Sequence, residues 1–435
     1  MLDSGLGQSL FELRDLSKNL LATKMSKGFI KSVVAVLTGT FVAQIVSLSG
    51  TLVLARIFSP SSFGIYSIWL GFVMILGIVL TCRFEMALAI EPDGYPRQYA
   101  VIATIKTIAI ISIILVLLLS VGILLRFEFL AKLSPGLITL LIPTAALLAG
   151  NVTLQNWAAA DGRYRHLSLL RVTQASSVVL LQIGFGWLAN DPLELACGYL
   201  GGTLLVLIIG IILSPLSNKS APRNPEPLTS FWRRQRRFSM FSLPADLISA
   251  GTAQLPIMIV AARYGSEASG LLAMALRMIG APMSLLSSSF LDVFKRHSAL
   301  AFRERGECRA EYLRSLGLLF LIATSASAII GIGAKPFFAL AFTASWESAG
   351  ALTLLLLPRF ALGFMASPLS YIVYVVGKQE LDLLWQLTLL AMTLATLLAV
   401  NSFHAALLWY SIGYGCLYIA YLWMSYRFSC GASKL

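Results

Sequence analysis

Two long apolar segments near the N-terminus are joined by the stretch Leu54-Ala55-Arg56-Ile57-Phe58-Ser59-Pro60-Ser61-Ser62-Phe63-Gly64-Ile65-Tyr66. A similar stretch returns about 207 residues later, as Val260-Ala261-Ala262-Arg263-Tyr264-Gly265-Ser266-Glu267-Ala268-Ser269-Gly270-Leu271-Leu272. In both, an apolar run ends in Ala-Arg, a short turn-forming stretch follows, and a glycine seven or eight residues after the arginine begins the next apolar run. This echo indicates that one half of the chain is a remote copy of the other.

The composition is that of a membrane protein. Of the 435 residues, 57% are hydrophobic and only 12% are charged, and the mean hydropathy is +0.81. A soluble domain carries roughly a quarter charged residues, and polar residues interrupt its apolar ones at helix or strand spacing. Here apolar runs of about 20 residues or more follow one another from residue 29 onward. The sequence therefore predicts an all-α polytopic membrane protein.

Prolines, glycines and charged turns divide the chain into about twelve transmembrane spans. The first six are Phe29–Ile57, Phe63–Ile90, Tyr99–Leu125, Pro135–Ala159, His166–Leu188 and Leu193–Leu213. The second six are Ser239–Arg263, Ser269–Phe294, Tyr312–Gly333, Ala349–Val376, Leu381–Val400 and Ala405–Tyr426. A second echo, between Gly162–Leu170 before span five and Gly377–Leu384 before span eleven, supports a repeat of six plus six.

Five regions follow from this division. They are an N-terminal tail (1–28), a six-helix lobe (29–213), a proline-containing basic linker (214–238), a second six-helix lobe (239–426) and a C-terminal tail (427–435). The first tail is compatible with an amphipathic surface helix or with a dispensable extension. Parallel repeats of this kind are a recurring plan of transporters, with the substrate path between the halves.

The basic residues predict the orientation. Of the 33 Lys and Arg residues, 23 fall in the tails and in the loops on one side, 5 fall in the opposite loops, and 5 lie within spans. Because basic residues collect on the cytoplasmic side, both termini are predicted to be cytoplasmic. The same rule explains the net charge of +13 without a nucleic-acid partner.

Several kinds of chemistry find no support in the sequence. The five cysteines are scattered and form no CxxC pair, and the three histidines lie far apart, so neither a metal site nor a cofactor is predicted. No GxxxxGK[ST] motif and no recognisable hydrolase motif is present. The predicted outer loops are short, which disfavours a membrane-bound polymerase or ligase. We therefore expect a transporter that is not an enzyme.

Cations within the spans are the most informative residues, and they are Arg83, Lys106, Arg171, Arg277 and Arg359. Each costs about 2.5 to 3.5 kcal/mol at a helix centre, whereas a leucine returns only about 0.5. A water-filled cavity lined by these residues would suit an anionic substrate, and the planar fork of arginine matches phosphate. The alternative is that some of them reach the headgroups or pair with acids, most readily Lys106 and Arg171.

Other polar residues within the spans have two interpretations each. Glu85, Asp246 and Asp292 could bind a coupling ion or could be interfacial partners of arginine; Arg83 and Glu85 are not expected to pair, because residues two apart on a helix point to nearly opposite faces. Gln44, Asn151, Gln155 and Asn156 could line the cavity or form hydrogen bonds between helices. Arg56 and Arg263, at equivalent outer corners, are predicted to be topological anchors or outer-gate residues.

The first 90 residues contain four distinctive stretches: the run Gly28–Val33, Leu37–Thr40 with Gln44, the Leu54–Tyr66 turn, and Arg83-Phe84-Glu85-Met86-Ala87. Together they resemble the start of bacterial Wzx-type polysaccharide flippases. Chain length, span number and the basic central loop are also similar, so the resemblance extends over nearly the whole chain.

The resemblance implies the fold of the multidrug/oligosaccharidyl-lipid/polysaccharide exporters, in which two six-helix lobes surround a central cavity and work by alternating access. It also implies transfer of an undecaprenyl-pyrophosphate-linked oligosaccharide to the outer leaflet, driven by an ion gradient, with membrane lipids and other polysaccharide assembly proteins as partners. An exporter of peptidoglycan precursor or of drugs from the same superfamily is the alternative. A drug exporter would be expected to carry a more acidic cavity than five cations and about three acids provide.

Overall fold

The computed structural model describes residues 27–124, 134–214, 226–376 and 378–431, and this part of the chain is all-α. Its twelve long helices are α1 (Lys27–Ile57), α2 (Pro60–Thr81), α3 (Tyr95–Leu124), α4 (Pro135–Ala160), α5 (Tyr164–Gly186), α6 (Pro192–Leu213), α7 (Leu243–Tyr264), α8 (Ser266–Arg305), α9 (Arg309–Ala341), α10 (Glu347–Leu369), α11 (Gln379–Ala399) and α12 (Phe403–Ser429). Residues 1–26 of the predicted N-terminal tail, 215–225 of the predicted linker and 432–435 lie outside the described residues.

Eleven segments of the described chain are long and apolar enough to cross a membrane. The helix that does not qualify is α8, which corresponds to the predicted span Ser269–Phe294 and runs for 40 residues. It packs against α2, α7 and α10, and the charged residues of its last turn, Arg303 to Arg305, are exposed. The prediction of an all-α polytopic membrane protein is confirmed.

Local sequence explains where the helices begin. Ser59 caps α2 by accepting a hydrogen bond from the Ser62 N–H (3.2 Å), and Pro60 opens the helix. Ser134 and Pro135 do the same for α4. Serine at the cap and proline in the first turn are the residues that a helix start favours, because proline has no N–H to leave unpaired there. At the equivalent turn before α8, Gly265 takes φ 92°, a conformation that suits glycine.

The second predicted span, Phe63–Ile90, extends beyond the end of the helix. Helix α2 ends at Thr81, Cys82 and Arg83 have φ values of 48° and 61°, and a 3₁₀ helix then covers Phe84–Ala89. Hydropathy could not reveal this break, because the residues on both sides of it are apolar. The break determines the direction of the Arg83 side chain.

The helix packing repeats between the two halves of the chain. In the first half, α5 packs on α1 and α6, while α4 packs on α2, α3 and α6. In the second half, α11 packs on α7 and α12, while α10 packs on α8, α9 and α12. These five contacts of the first half therefore recur six helices later. The exact domain boundaries inferred from the sequence remain predictions.

The halves meet along α2 and α8. Helix α2 packs extensively on both α8 and α7, whereas α1 only touches α8. At the end of the molecule where α1 and α7 terminate, here called the Ala-Arg end after Arg56 and Arg263, Trp346 of the second half donates a hydrogen bond to the Ala55 carbonyl (2.8 Å). Its ring also meets Phe63 edge-on, with centroids 5.6 Å apart. An aromatic cluster thus closes the Ala-Arg end.

Candidate functional site

Arg277 lies on α8 and reaches across to the other half. Its Nη2 donates a hydrogen bond to the Ser47 hydroxyl of α1 (3.0 Å), and the side chain is half-buried. Among the described residues it has no ion-pair partner. A membrane-embedded guanidinium held by one neutral hydroxyl keeps most of its donors for another ligand.

Arg359 lies on α10 inside a cage of aromatic rings. Its guanidinium carbon is 4.4 Å from the ring centroid of Tyr414, 5.0 Å from that of Tyr410 and 5.1 Å from that of Phe360. These distances are those of cation–π contacts, which stabilise the charge without neutralising it. Its Nε is buried and has no hydrogen-bond acceptor, and no carboxylate of the described residues forms an ion pair with it.

Two cavities of the second half meet at Arg359. One, of 310 Å³, is also lined by Ser249, Asp382 and Gln386. The other, of 410 Å³, is also lined by Ser287. Both are large enough for several water molecules, so a hydrated anionic group could reach the guanidinium.

Arg83 lies at the end of the molecule opposite the Ala-Arg end. Its Nη1 is 2.9 Å from Oε1 of Glu85, so the expectation that these two residues do not pair is wrong. The expectation assumed one continuous helix, whereas α2 ends at Thr81 and Arg83 has left-handed backbone angles. The Nε of Arg83 also lies 2.6 Å from Oδ2 of Asp246 on α7, which joins the two halves at this end.

The other two cations within the predicted spans, Arg171 and Lys106, have different surroundings from Arg83, Arg277 and Arg359. Arg171 on α5 donates a hydrogen bond to the Thr40 hydroxyl of α1 (2.7 Å), a contact within the first half. Lys106 is exposed on α3, which also exposes Ile105, Ile110 and Ile113. This position fits the alternative in which the Lys106 amine reaches the headgroup region.

The polar residues of α4 bind neighbouring helices or their own backbone. Asn151 donates to the Thr203 carbonyl of α6 (2.8 Å), and Gln155 donates to Gln174 of α5 (2.9 Å). Asn156 donates to the carbonyl four residues earlier in its own helix and is exposed. Gln44 is half-buried on α1. Hydrogen bonding between helices therefore accounts for Asn151 and Gln155.

Arg56 and Arg263, the arginines of the two Ala-Arg turns, differ in their contacts. Arg263 donates hydrogen bonds to the Leu397 carbonyl (3.0 Å), to the Val400 carbonyl (3.1 Å) and to Asn401 (3.1 Å), at the C-terminal end of α11. A cation at the last carbonyls of a helix is favourable because it satisfies acceptors that have no partner in the helix. Arg56 is exposed. The contacts of Arg263 are those of an anchor.

Asp382 is a residue whose position sequence reasoning missed. It accepts hydrogen bonds from the hydroxyls of Tyr374 (2.9 Å) and Tyr421 (3.2 Å), and it lines the same cavity as Arg359. Glu85 and Asp246 are already paired with Arg83, and the side chain of Asp292 lies outside the described part. In the sequence, the signal that could have indicated a functional role for Asp382 is its position as an acid in the first turn of span eleven.

A short helix, Leu228–Arg234, fastens the chain between the lobes to the first half. The Glu91 carboxylate, 1% exposed, accepts hydrogen bonds from Arg234 (2.6 Å) and Gln235 (2.7 Å). Trp232 donates to the Thr107 hydroxyl (2.8 Å), and Phe231 is fully buried. The hydrogen bond to Glu91 raises the pKa of the Arg234 guanidinium above its ordinary value.

Metal chemistry finds no support in the geometry. No group of three or more His, Cys, Asp or Glu side chains with metal-binding spacing occurs in the described ranges. Of the cations within the predicted spans, Arg83 and Arg277 bridge the halves and Arg359 faces two cavities.

Comparison with known proteins identifies a family and a fold. A family model described as polysaccharide biosynthesis protein matches residues 53–351. No curated protein matches the sequence.

Three solved structures show the same fold at low identity. The lipid II flippase MurJ in an inward closed conformation superposes with a TM-score of 0.69 at 14% identity, covering 90% of this chain and 87% of that one. An inward-facing multidrug resistance MATE family transporter of the MOP superfamily gives 0.61 at 14% identity, covering 89% and 93%. A MOP superfamily transporter from Pyrococcus furiosus, described as having a binding pocket of reverse polarity, gives 0.59 at 14% identity, covering 92% and 94%.

Proposed function

Because the chain belongs to the polysaccharide biosynthesis protein family, we propose that it is a flippase that moves an undecaprenyl-pyrophosphate-linked oligosaccharide from the inner to the outer leaflet. It is a multi-pass membrane protein with the fold of MOP superfamily transporters. In the proposed reaction no covalent bond is broken, so the protein acts as a transporter and not as an enzyme.

The observation that carries the proposal is the state of Arg359. It is a cation within a membrane span, it opens on two cavities, and its Nε has no acceptor. A charge in this position is expensive unless it serves a ligand or an ion pathway. A diphosphate supplies the oxygens that an arginine fork binds best, whereas an organic cation would be repelled.

Arg277 supports the same interpretation. It lies at the contact between α8 and α1, where the two halves barely touch. We propose that the diphosphate passes Arg83, Arg277 and Arg359 as the halves move, while the glycan occupies the wet cavity. The lipid tail would remain in the bilayer, and the sparse contact between α1 and α8 offers a gap through which it could extend.

We propose that the protein lies in a bacterial inner membrane with both termini on the cytoplasmic side. The end of the molecule that carries Arg83 and Asp246 would then also face the cytoplasm. The 23 to 5 distribution of Lys and Arg supports this orientation. The substrate would then be loaded from the end where Arg83 lies, and the Ala-Arg end would open toward the outer leaflet. Alternating access of this kind requires that each end can be closed in turn.

An ion gradient is proposed to drive the cycle. Asp382 is the described acid best placed to bind the coupling ion, because its partners are two neutral hydroxyls and it shares a cavity with Arg359. Binding of a proton or a sodium ion there would change the electrostatic field in which Arg359 holds its anion. Glu85 and Asp246 would contribute only after their pairing with Arg83 is broken.

A second candidate is transfer of a lipid-linked peptidoglycan precursor, favoured by the structural similarity to the lipid II flippase. Both substrates carry a diphosphate, so the arginines do not distinguish them. The two candidates are distinguished by adding each unlabelled lipid to the transport assay described below: the lipid that competes with the fluorescent substrate is the one that the protein carries.

The test is transport in proteoliposomes that hold a fluorescent undecaprenyl-pyrophosphate-linked oligosaccharide, read as the fraction accessible to an external quencher. Arg277→Gln and Arg359→Gln should each reduce the transport rate about tenfold or more, because one charge-assisted contact is lost. Arg303→Gln, the same change at an exposed position of α8, should transport normally. Transport that survives the double substitution, or that is restricted to organic cations, would reject the proposed function.

A further inference from the structure

Arg83 contacts one carboxylate from each half of the protein. Glu85, its partner within the first half, is 2% exposed, whereas Asp246, its partner from α7, is 36% exposed. Arg83 therefore has a permanent buried partner and a second partner that water can reach.

Contacts that do not involve the second half help to hold Arg83 in position. The left-handed angles of Cys82 and Arg83 turn the chain away from α2, and the Arg83 N–H donates to the Thr81 hydroxyl (3.2 Å). The next residue, Phe84, packs edge-on against Phe231, with centroids 5.4 Å apart. Unusual backbone angles at residues other than glycine are typical of sites where a side chain must take a set direction. Asp246 is thus not needed to orient the guanidinium.

The contact with Asp246 is close, but it is not a directed hydrogen bond. The two atoms are 2.6 Å apart, but the buried Nε of Arg83 has no acceptor in hydrogen-bond geometry, so this contact is an ion pair without a hydrogen bond through Nε. A phosphate group can instead accept two parallel hydrogen bonds from an arginine fork. The Nε donor of Arg83 therefore remains available to an oxyanion such as a phosphate group.

We propose that Asp246 occupies at Arg83 the place of a phosphate group of the substrate, and that the incoming diphosphate displaces it. This inference rests on the proposed function. Because the ion pair joins the cytoplasmic ends of the two halves, its displacement favours the state in which those ends are apart. Binding of the substrate would then itself unlock the cytoplasmic side.

The test has a conformational arm. Spin labels are placed at Arg165→Cys in the first half and Glu307→Cys in the second, both exposed, in a background whose five native cysteines are replaced by serine. Without ligand, Asp246→Asn should shift the distance distribution to longer values. Undecaprenyl diphosphate should produce the same shift in the otherwise unmodified protein, and uncharged undecaprenol should not.

The second arm is binding of undecaprenyl diphosphate to the purified protein. Asp246→Asn should bind it about fivefold more tightly or better, because the competing carboxylate is gone, and Arg83→Gln should bind it more weakly. Asp246→Glu should behave as the parent protein. Glu267→Gln, the same change of charge at an exposed acid at the other end, serves as the matched control.

The outcomes separate this inference from the proposed function. Diphosphate binding that Asp246→Asn leaves unchanged, together with an unchanged distance distribution, would overturn the exchange at Arg83 while leaving a diphosphate flippase intact. Absence of diphosphate binding in every variant would overturn both. The folding of each variant is checked by its elution profile in detergent. If Asp246→Asn misfolds, Asp246→Ser takes its place and is measured in the same way.

Discussion

Gly64 of α2 and Gly270 of α8 occupy equivalent positions in the two halves, and each lies against the backbone of the other half. A Cβ at Gly64 would be 1.9 Å from the Ser266 carbonyl oxygen, and a Cβ at Gly270 would be 1.8 Å from that of Pro60. The hydroxyls of Ser61 and Ser266 add a hydrogen bond of 2.7 Å. Reciprocal contacts of this kind are those of an isologous interface about a two-fold axis.

We expect Gly64→Ala and Gly270→Ala each to prevent closure of the Ala-Arg end. A methyl group cannot approach a carbonyl oxygen so closely, and neither partner is a flexible side chain. Spin labels across this end should therefore report longer distances, and transport should fall about tenfold or more because the cycle cannot complete.

The control for the glycine substitutions is Gly184→Ala in α5, where a Cβ would meet nothing within 4 Å. In a helix interior this change should be neutral or stabilising by up to about 1 kcal/mol. If all three alanine variants closed and transported alike, the reciprocal contact would have no role in closure.

We predict that diphosphate binding depends on the planar shape of the Arg359 side chain as well as on its charge. Arg359→Lys keeps the charge but loses the planar fork that lies over Tyr414 and Tyr410. Binding of undecaprenyl diphosphate, measured by calorimetry, should weaken by about tenfold for the lysine variant and further for Arg359→Gln. Equal affinity for the lysine variant and the parent protein would show that charge alone suffices.

Asp382 is predicted to couple transport to an ion. Asp382→Asn keeps the hydrogen bonds with Tyr374 and Tyr421 possible but removes the charge. In vesicles, it should retain substrate binding and lose the acceleration by an imposed proton or sodium gradient. Glu380→Gln, an exposed acid of the same helical turn, should remain gradient-dependent; a gradient response unaffected by Asp382→Asn would exclude Asp382 as the coupling residue.

Glu91 is predicted to stabilise the first half by holding the short helix Leu228–Arg234. Glu91→Ala removes a buried acceptor and leaves Arg234 and Gln235 without it, which should cost about 1 to 3 kcal/mol of unfolding free energy. A lower melting temperature in detergent would show the loss. Glu226→Gln, which changes a more exposed partner of Arg234, should have a small effect, and two equal effects would argue against a special role for the buried carboxylate.

The predicted helices were recovered well wherever local composition decides the structure. All twelve predicted spans begin within about four residues of the start of a helix, and eight of them also end within about three residues of its end, because membrane insertion depends on the transfer free energy of each contiguous segment. The second span failed because a turn built from Cys82 and Arg83 is invisible to hydropathy. The eighth is too short, because the helix continues past Phe294 through a polar stretch to Arg305, where Arg303 and Arg305 are exposed.

By itself, the sequence determined the all-α class, the twelve segments, the repeat and the excess of basic residues on one side, since each depends on residues adjacent in the chain. Only the tertiary structure decided that Gly64 meets Ser266, that Arg83 pairs with both Glu85 and Asp246, and that Asp382 shares a cavity with Arg359. These relationships depend on the rotation of each helix about its axis and on where a helix breaks. Both are set by packing between segments far apart in the chain.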